Sequence, residues 1–173
     1  MPERYELSST DKVKISTEAA EAFVDSYYTA LNSARHTIAS YYVPPNNVSG
    51  RLMPYISYNG ELIQDGKQLQ DRYEDKSLPY MHFECQSLDA HVLNPCLDGV
   101  PAATRRDAER NMSLIVQVSG SVRLMERKDG PLRGTSESFV LVPNKEEVGA
   151  KGTGKGDYGR KWLIQTQNFR IVV

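Results

Sequence analysis

Two pairs of residue types in this chain could do chemistry. Tyr27 and Tyr28, with Asp25 before them and His36 after, put phenol, carboxylate and imidazole groups within twelve residues. Such a set can move protons at a carbonyl if it converges on one cavity wall, but no spacing here places a base, an acid and an oxyanion donor together. Cys85 and Cys96, with His82 and His91 beside them, are the second set. Thiolate and imidazole suit zinc, yet the cysteines are eleven apart and form no C-x-x-C unit, so they read as reduced structural thiols. The glycine-rich run GAKGTGKGDYG lacks the Ser/Thr and apolar helix that follow a phosphate-binding loop. No catalytic residue, metal or cofactor is therefore assigned.

A third use of side chains is charge. Arg105, Arg106 and Arg110 occupy one polar stretch, and Lys145, Lys151, Lys155, Arg160 and Lys161 another, where they outnumber Glu146, Glu147 and Asp157. Such loops can meet RNA phosphates without reading sequence, so these eight residues are the candidate RNA contacts.

The elements that must position these groups follow from periodicity. The chain has 173 residues, 25% of them charged and 39% hydrophobic, with a net charge of −1. That suits one soluble domain, and no apolar run approaches the roughly 18–20 residues that span a bilayer. The start, MPERYELSSTDK, has no secretory pattern, which points to cytoplasm or nucleus. Residues 1–14 read as a flexible arm and 15–173 as the domain. A helix of about 16 residues is expected from Ile15, capped by Ser16 or Thr17, because Phe23, Tyr27 and Leu31 recur every four residues beside Ala20, Val24 and Tyr28. A shorter helix carrying Ala34, Ile38, Tyr41 and Tyr42 ends at Pro44-Pro45. Asn59-Gly60 joins Tyr55–Tyr58 to Glu61–Gln64 as a hairpin. Leu69 and Tyr73 mark a third helix. His82–Leu93 reads as a strand with Phe83, Cys85, Leu88, Val92 and Leu93 inward. Residues 94–111 and 144–160 read as long loops.

The clearest strand is 112–124. Met112, Leu114, Val116, Val118, Val122 and Leu124 alternate with Ile115, Gln117, Ser119, Ser121 and Arg123. A partner strand is expected over Ser138–Val142. In KWLIQTQNFRIVV, Trp162 and Ile164 face the core on even positions but Phe169 and Ile171 on odd ones. Only a bulge between Gln165 and Asn168 reconciles them, and it turns Asn168 and Arg170 away from the core. Helices first and antiparallel strands afterwards give an α+β fold.

This order, with AAEAFVDSYYTAL, YNGELIQDGKQLQDRY, ECQ, V-x-G-S-V at Val118–Val122 and WLIQTQNFRI, resembles the nuclear transport factor 2-like family. Within it the likeness is to the small, transport-regulator subunits of fungal messenger-RNA export heterodimers, and it covers nearly all of residues 16–173. The resemblance implies a cone in which three N-terminal helices pack in a strongly curved, mostly antiparallel sheet. It further implies a non-catalytic subunit in nucleus and nuclear pore, shuttling to the cytoplasm. Its partner would be the like-folded domain of a large export receptor, with phenylalanine-glycine nucleoporins engaged through the complex and no membrane. Ile115, Gln117, Ser119, Ser121, Arg123, Gln165, Asn168 and Arg170 would form the heterodimer interface, Arg170 pairing with an aspartate of the receptor. Large tyrosines would plug the interior cavity. The alternatives in the same fold are a homodimeric carrier of GDP-bound Ran and a small-molecule isomerase or dehydratase.

Overall fold

In the computed structural model, residues 4–76, 80–124, 130–145 and 160–172 are described. Helix α1 spans Ser9–Ser33, a full six residues earlier than the tyrosine stripe alone indicates. Ser8 is the cap: its Oγ accepts from Asp11 N–H at 3.0 Å. Ser16, expected to cap, is instead buried inside the helix and donates to Val13 O. Residues 9–14 of the segment expected as a flexible arm are thus helical, and the residues just before them are held by Leu7, which is buried, and by a Tyr5 N–H bond to Ala102 O. Polar residues on an exposed first turn carry no apolar period, so periodicity could not see them.

A 3-10 helix, Arg35–Tyr41, follows at once. A small antiparallel pair, β1 (Asn46–Val48) and β2 (Arg51–Met53), was not expected from the sequence. The hairpin of β3 (Tyr55–Tyr58) and β4 (Glu61–Ile63) turns at Asn59 and Gly60, whose φ values of 50° and 83° are those a tight hairpin turn requires. Helix α2 (Gly66–Glu74) is capped by Asp65. Strand β5 (Met81–Asn94) leads through a short helix α3 (Arg105–Glu109) to β6 (Ser113–Leu124), β7 (Leu132–Pro143) and β8 (Trp162–Val172).

The stretch 94–111 is therefore no plain loop. Asn111 Nδ2 donates to Asp98 Oδ1 and Val100 O, its Oδ1 accepts from Asp98 N–H, and α3 sits on this knot. Of the other expected loop, 146–159 lies outside the described residues.

The six-stranded sheet runs β4-β3-β8-β7-β6-β5, antiparallel except where β3 lies parallel to β8. Bulges bend it. One adds Gln165 to β8, where Val140 pairs with Thr166 but Leu141 with Ile164, which is the irregularity the Trp162/Phe169 mismatch requires. Two more interrupt β5, between Cys85 and Ser87 and between Val92 and Asn94. Cys85 and Leu93, expected inward, are exposed as a result. Gly120 faces the first of these bulges, and a Cβ there would lie 2.1 Å from Glu84 O. The concave side closes over α1 in one core containing Tyr27, Leu31, Ile38, Leu69, Phe139 and Ile164.

Candidate functional site: the outer sheet face, the closed interior and a basic groove

The alternation of β6 sets one face of the sheet against the helices and leaves the other outside. Register then aligns the outer residues across strands. Asp89, Gln117, Ser138, Asn168 and Ser57 form one row over five strands; Ser87, Ser119, Ser136 and Arg170 form the next. A third row, His91, Ile115, Val140, Thr166 and Tyr55, is more apolar. Gln117, Ser119, Asn168 and Arg170 are exposed, and Ile115, Arg123 and Gln165 half-buried. Short hydroxyl and amide side chains over this width make a low, flat surface rich in hydrogen-bonding groups. Arg170 lies near the hairpin turn, its Nη2 3.8 Å from where a Cβ on Gly60 would be. Ser121 differs from its row-mates: it is 4% exposed, and its Oγ has no hydrogen-bond partner among the described residues. It pairs in register with Glu84, and Arg123 follows two residues on.

On the concave side the tyrosines do two jobs. Their rings fill space: Tyr27 meets Phe23, Tyr41, Tyr42 and Phe139 at centroid distances of 5.2–6.4 Å. Their hydroxyls enclose a buried carboxylate. Glu137, 2% exposed, accepts from Tyr28 OH at 2.7 Å and from Gln167 Nε2 at 2.7 Å. Gln167 Nε2 also donates to Tyr27 OH, Tyr27 and Tyr42 share a 2.7 Å bond, and Tyr42 OH returns to Gln167 Oε1. Burial pushes the Glu137 carboxyl up to about 7, against the two donors that pull it down. Burial likewise raises the Tyr27, Tyr28 and Tyr42 phenols. Glu137 was missed by the sequence reading because the strand was started at Ser138; carried upstream, the alternation Thr135, Glu137, Phe139, Leu141 places it inside.

The proton-transfer set does not assemble. Tyr27 and Tyr28 are buried in this network, whereas Asp25 and His36 are exposed. Asp25 and Tyr28 do line one groove of about 430 Å³ between α1 and β5, with Glu21 and Glu84, but Tyr27, His36 and Glu137 do not line it, and the Tyr28 hydroxyl is spent inward on Glu137. The thiols are also apart. Cys85 lies near the start of β5 and Cys96 beyond its end, with most of the strand between them. His82 stacks on Tyr80 and His91 pairs with Asp89. Among the described residues no three His, Cys, Asp or Glu side chains are grouped to hold a metal ion.

The basic residues do converge. A groove of about 820 Å³ between α1, α3 and the adjoining ends of β7 and β8 is lined by Arg105, Arg106 and Arg110 on one wall and by Arg160 and Lys161 on the other. Asn144 clamps the second wall, its N–H bonding Lys161 O and its Nδ2 Arg160 O. Lys145 is exposed and does not line this groove. Lys151 and Lys155 lie outside the described residues.

No protein-family model and no curated protein sequence matches the chain. Solved structures do. The complex of a Sac3N peptide with Mex67:Mtr2 contains a chain matching at TM-score 0.71 and 24% identity, covering 91% of this chain and 99% of that one. The complex of the Chaetomium thermophilum Mex67 NTF2-like domain with Mtr2 contains a chain matching at TM-score 0.71 and 22% identity over the same shares. Nuclear transport factor 2 (Ntf2) of Cryptosporidium parvum matches at TM-score 0.56 and 20% identity, covering 90% of this chain and 94% of that one. The chain has the nuclear transport factor 2-like fold. A protein of this nuclear transport factor 2-like shape from Novosphingobium aromaticivorans, assigned as a scytalone dehydratase, also matches, at TM-score 0.52 and 14% identity over 95% and 89%. The fold therefore hosts transport factors and enzymes alike, and the choice falls to the residues.

Proposed function

We propose that this chain is the non-catalytic small subunit of a heterodimeric nuclear export receptor for messenger RNA, docking its outer sheet face on the like-folded domain of a large subunit. The observation that carries the reading is the outer face itself: three registered rows across adjacent strands, mostly Ser, Thr, Asn, Gln, Ile and Val at their centre with Asp89, His91 and Tyr55 towards the sides, and Arg170 projecting at the hairpin end. The likeness to chains in complexes of Mex67 and Mtr2 supports the same reading. So does the filling of the concave side, where an isomerase or dehydratase would need room for a substrate. In this role the chain works in the nucleus and at the pore, shuttles to the cytoplasm, and meets phenylalanine-glycine nucleoporins through the complex.

The test is assembly. Mixed with the nuclear transport factor 2-like domain of a large export receptor, the purified chain is expected to elute from a sizing column as a one-to-one complex that buries at least about 1,600 Å². Two separate peaks would remove the proposal. The likeness to Ntf2 favours a second reading, a homodimeric carrier of GDP-bound Ran. Light scattering of the chain alone separates them, since that carrier is a dimer without a partner.

A further inference from the structure

The basic groove beside α1 is not used by the outer-face reading, and none of the outer-face residues lines it. Its floor is apolar: Ile15, Ala19 and Ala22, spaced i, i+4, i+7 on a second face of α1, with Phe23 and Trp162. Ala22 is exposed and Ile15, Ala19 and Trp162 are half-exposed, so this face lies open beside the core stripe rather than within it. The rim holds Lys14, Arg105, Arg106, Arg110, Arg160 and Lys161 against Glu18 and Glu109.

An RNA strand is the obvious anion for such a rim, and the floor suits it poorly. Stacking needs open ring faces. Tyr41 and Phe23 are buried, and the Arg160 guanidinium already covers Tyr41 at 3.3 Å from the ring centroid, which leaves Trp162, half-exposed, as a single ring among the described lining residues where a strand would stack successive bases. Phosphates follow one another at fixed spacing and would meet Glu18 and Glu109 as well as the arginines. A peptide can place its carboxylates selectively against guanidinium forks, and its apolar side chains against small residues at helical spacing.

We infer that this groove docks an acidic amphipathic segment of a partner protein. Its apolar side chains seat on Ile15, Ala19, Ala22 and Trp162, and its carboxylates pair with Arg106, Arg110 and Lys161. The inference stands apart from the heterodimer reading, because it concerns a different surface.

The test uses the full chain and a fluorescent synthetic helix of about fifteen residues carrying Leu and Glu on adjacent faces. Anisotropy should show saturable binding that a Gln-for-Glu version of the peptide lacks. Two variants are made at exposed or half-exposed positions: Arg106→Glu with Arg110→Glu, which reverses the rim, and Ala22→Trp, which fills the floor without changing charge. Each is expected to weaken the peptide about tenfold or more, while Arg170→Ala leaves it unchanged. Absence of peptide binding, or binding indifferent to Ala22→Trp, overturns the inference. So does an oligouridylate that binds more tightly than the peptide, is lost on rim reversal and persists in Ala22→Trp, which would make the groove an RNA site.

Discussion

Glu137 is a carboxyl held almost wholly away from water. A carboxyl titrating near 7 when folded, against an ordinary value of 4.5, binds its proton more tightly in the native state. Native stability is then fully present below about pH 4.5 and declines as pH rises towards and through 7, by up to about 3 kcal/mol. Thermal melts across this range are expected to fall with pH, and Glu137→Gln, which can keep both hydrogen bonds if the Gln167 amide turns over, should flatten the profile. A variant with the same slope as the parent would place the titration elsewhere. Arg170 is the complementary case, exposed and projecting from the outer face. If the outer face docks as proposed, with a partner carboxylate against Arg170, then Arg170→Ala should leave the melting temperature unchanged and weaken that complex by about 2–5 kcal/mol in a calorimetric titration.

Among the elements, α1 and β5 carry the sharpest expectations. Helix α1 starts at Ser8, so Ser8→Ala should cost about 1 kcal/mol in denaturant unfolding, while Thr17→Ala, exposed in mid-helix, should cost almost nothing. Equal effects would mean the first two turns fray. Strand β5 bends at Cys85–Ser87, and Gly120 accepts the displaced backbone. Gly120→Ala is expected to destabilise by about 1–3 kcal/mol or more, because the new methyl meets the main chain at Glu84 O and not the tip of a flexible side chain.

At the scale of the whole molecule, one sheet separates two roles. Its concave side is filled by the Tyr27, Tyr28 and Tyr42 network around Glu137, and its convex side presents Gln117, Ser138 and Asn168 in register. If the convex side is the assembly surface, Ser138→Arg should abolish the complex on a sizing column without altering the melt. A complex that still forms would move the interface to another face.

Local pattern alone determined much of this protein. The stripe of α1, the Asn59-Gly60 turn, the alternation of β6 and the bulge at Gln165 are readable because each depends on neighbours within a few residues, through the periods of helix and strand. The α+β class follows from their order. Tertiary structure decided what sequence neighbours do not touch. Glu137 is buried only because Tyr28, 109 residues away, and Gln167, 30 away, close over it. Arg105 and Lys161 become two walls of one groove only when α3 folds onto α1 beside the end of β8. Ser121 and Ser119 read alike in the chain, and only packing across strands buries one and exposes the other. Contacts between distant residues leave no period in a sequence, so their chemistry appears only once the chain has closed.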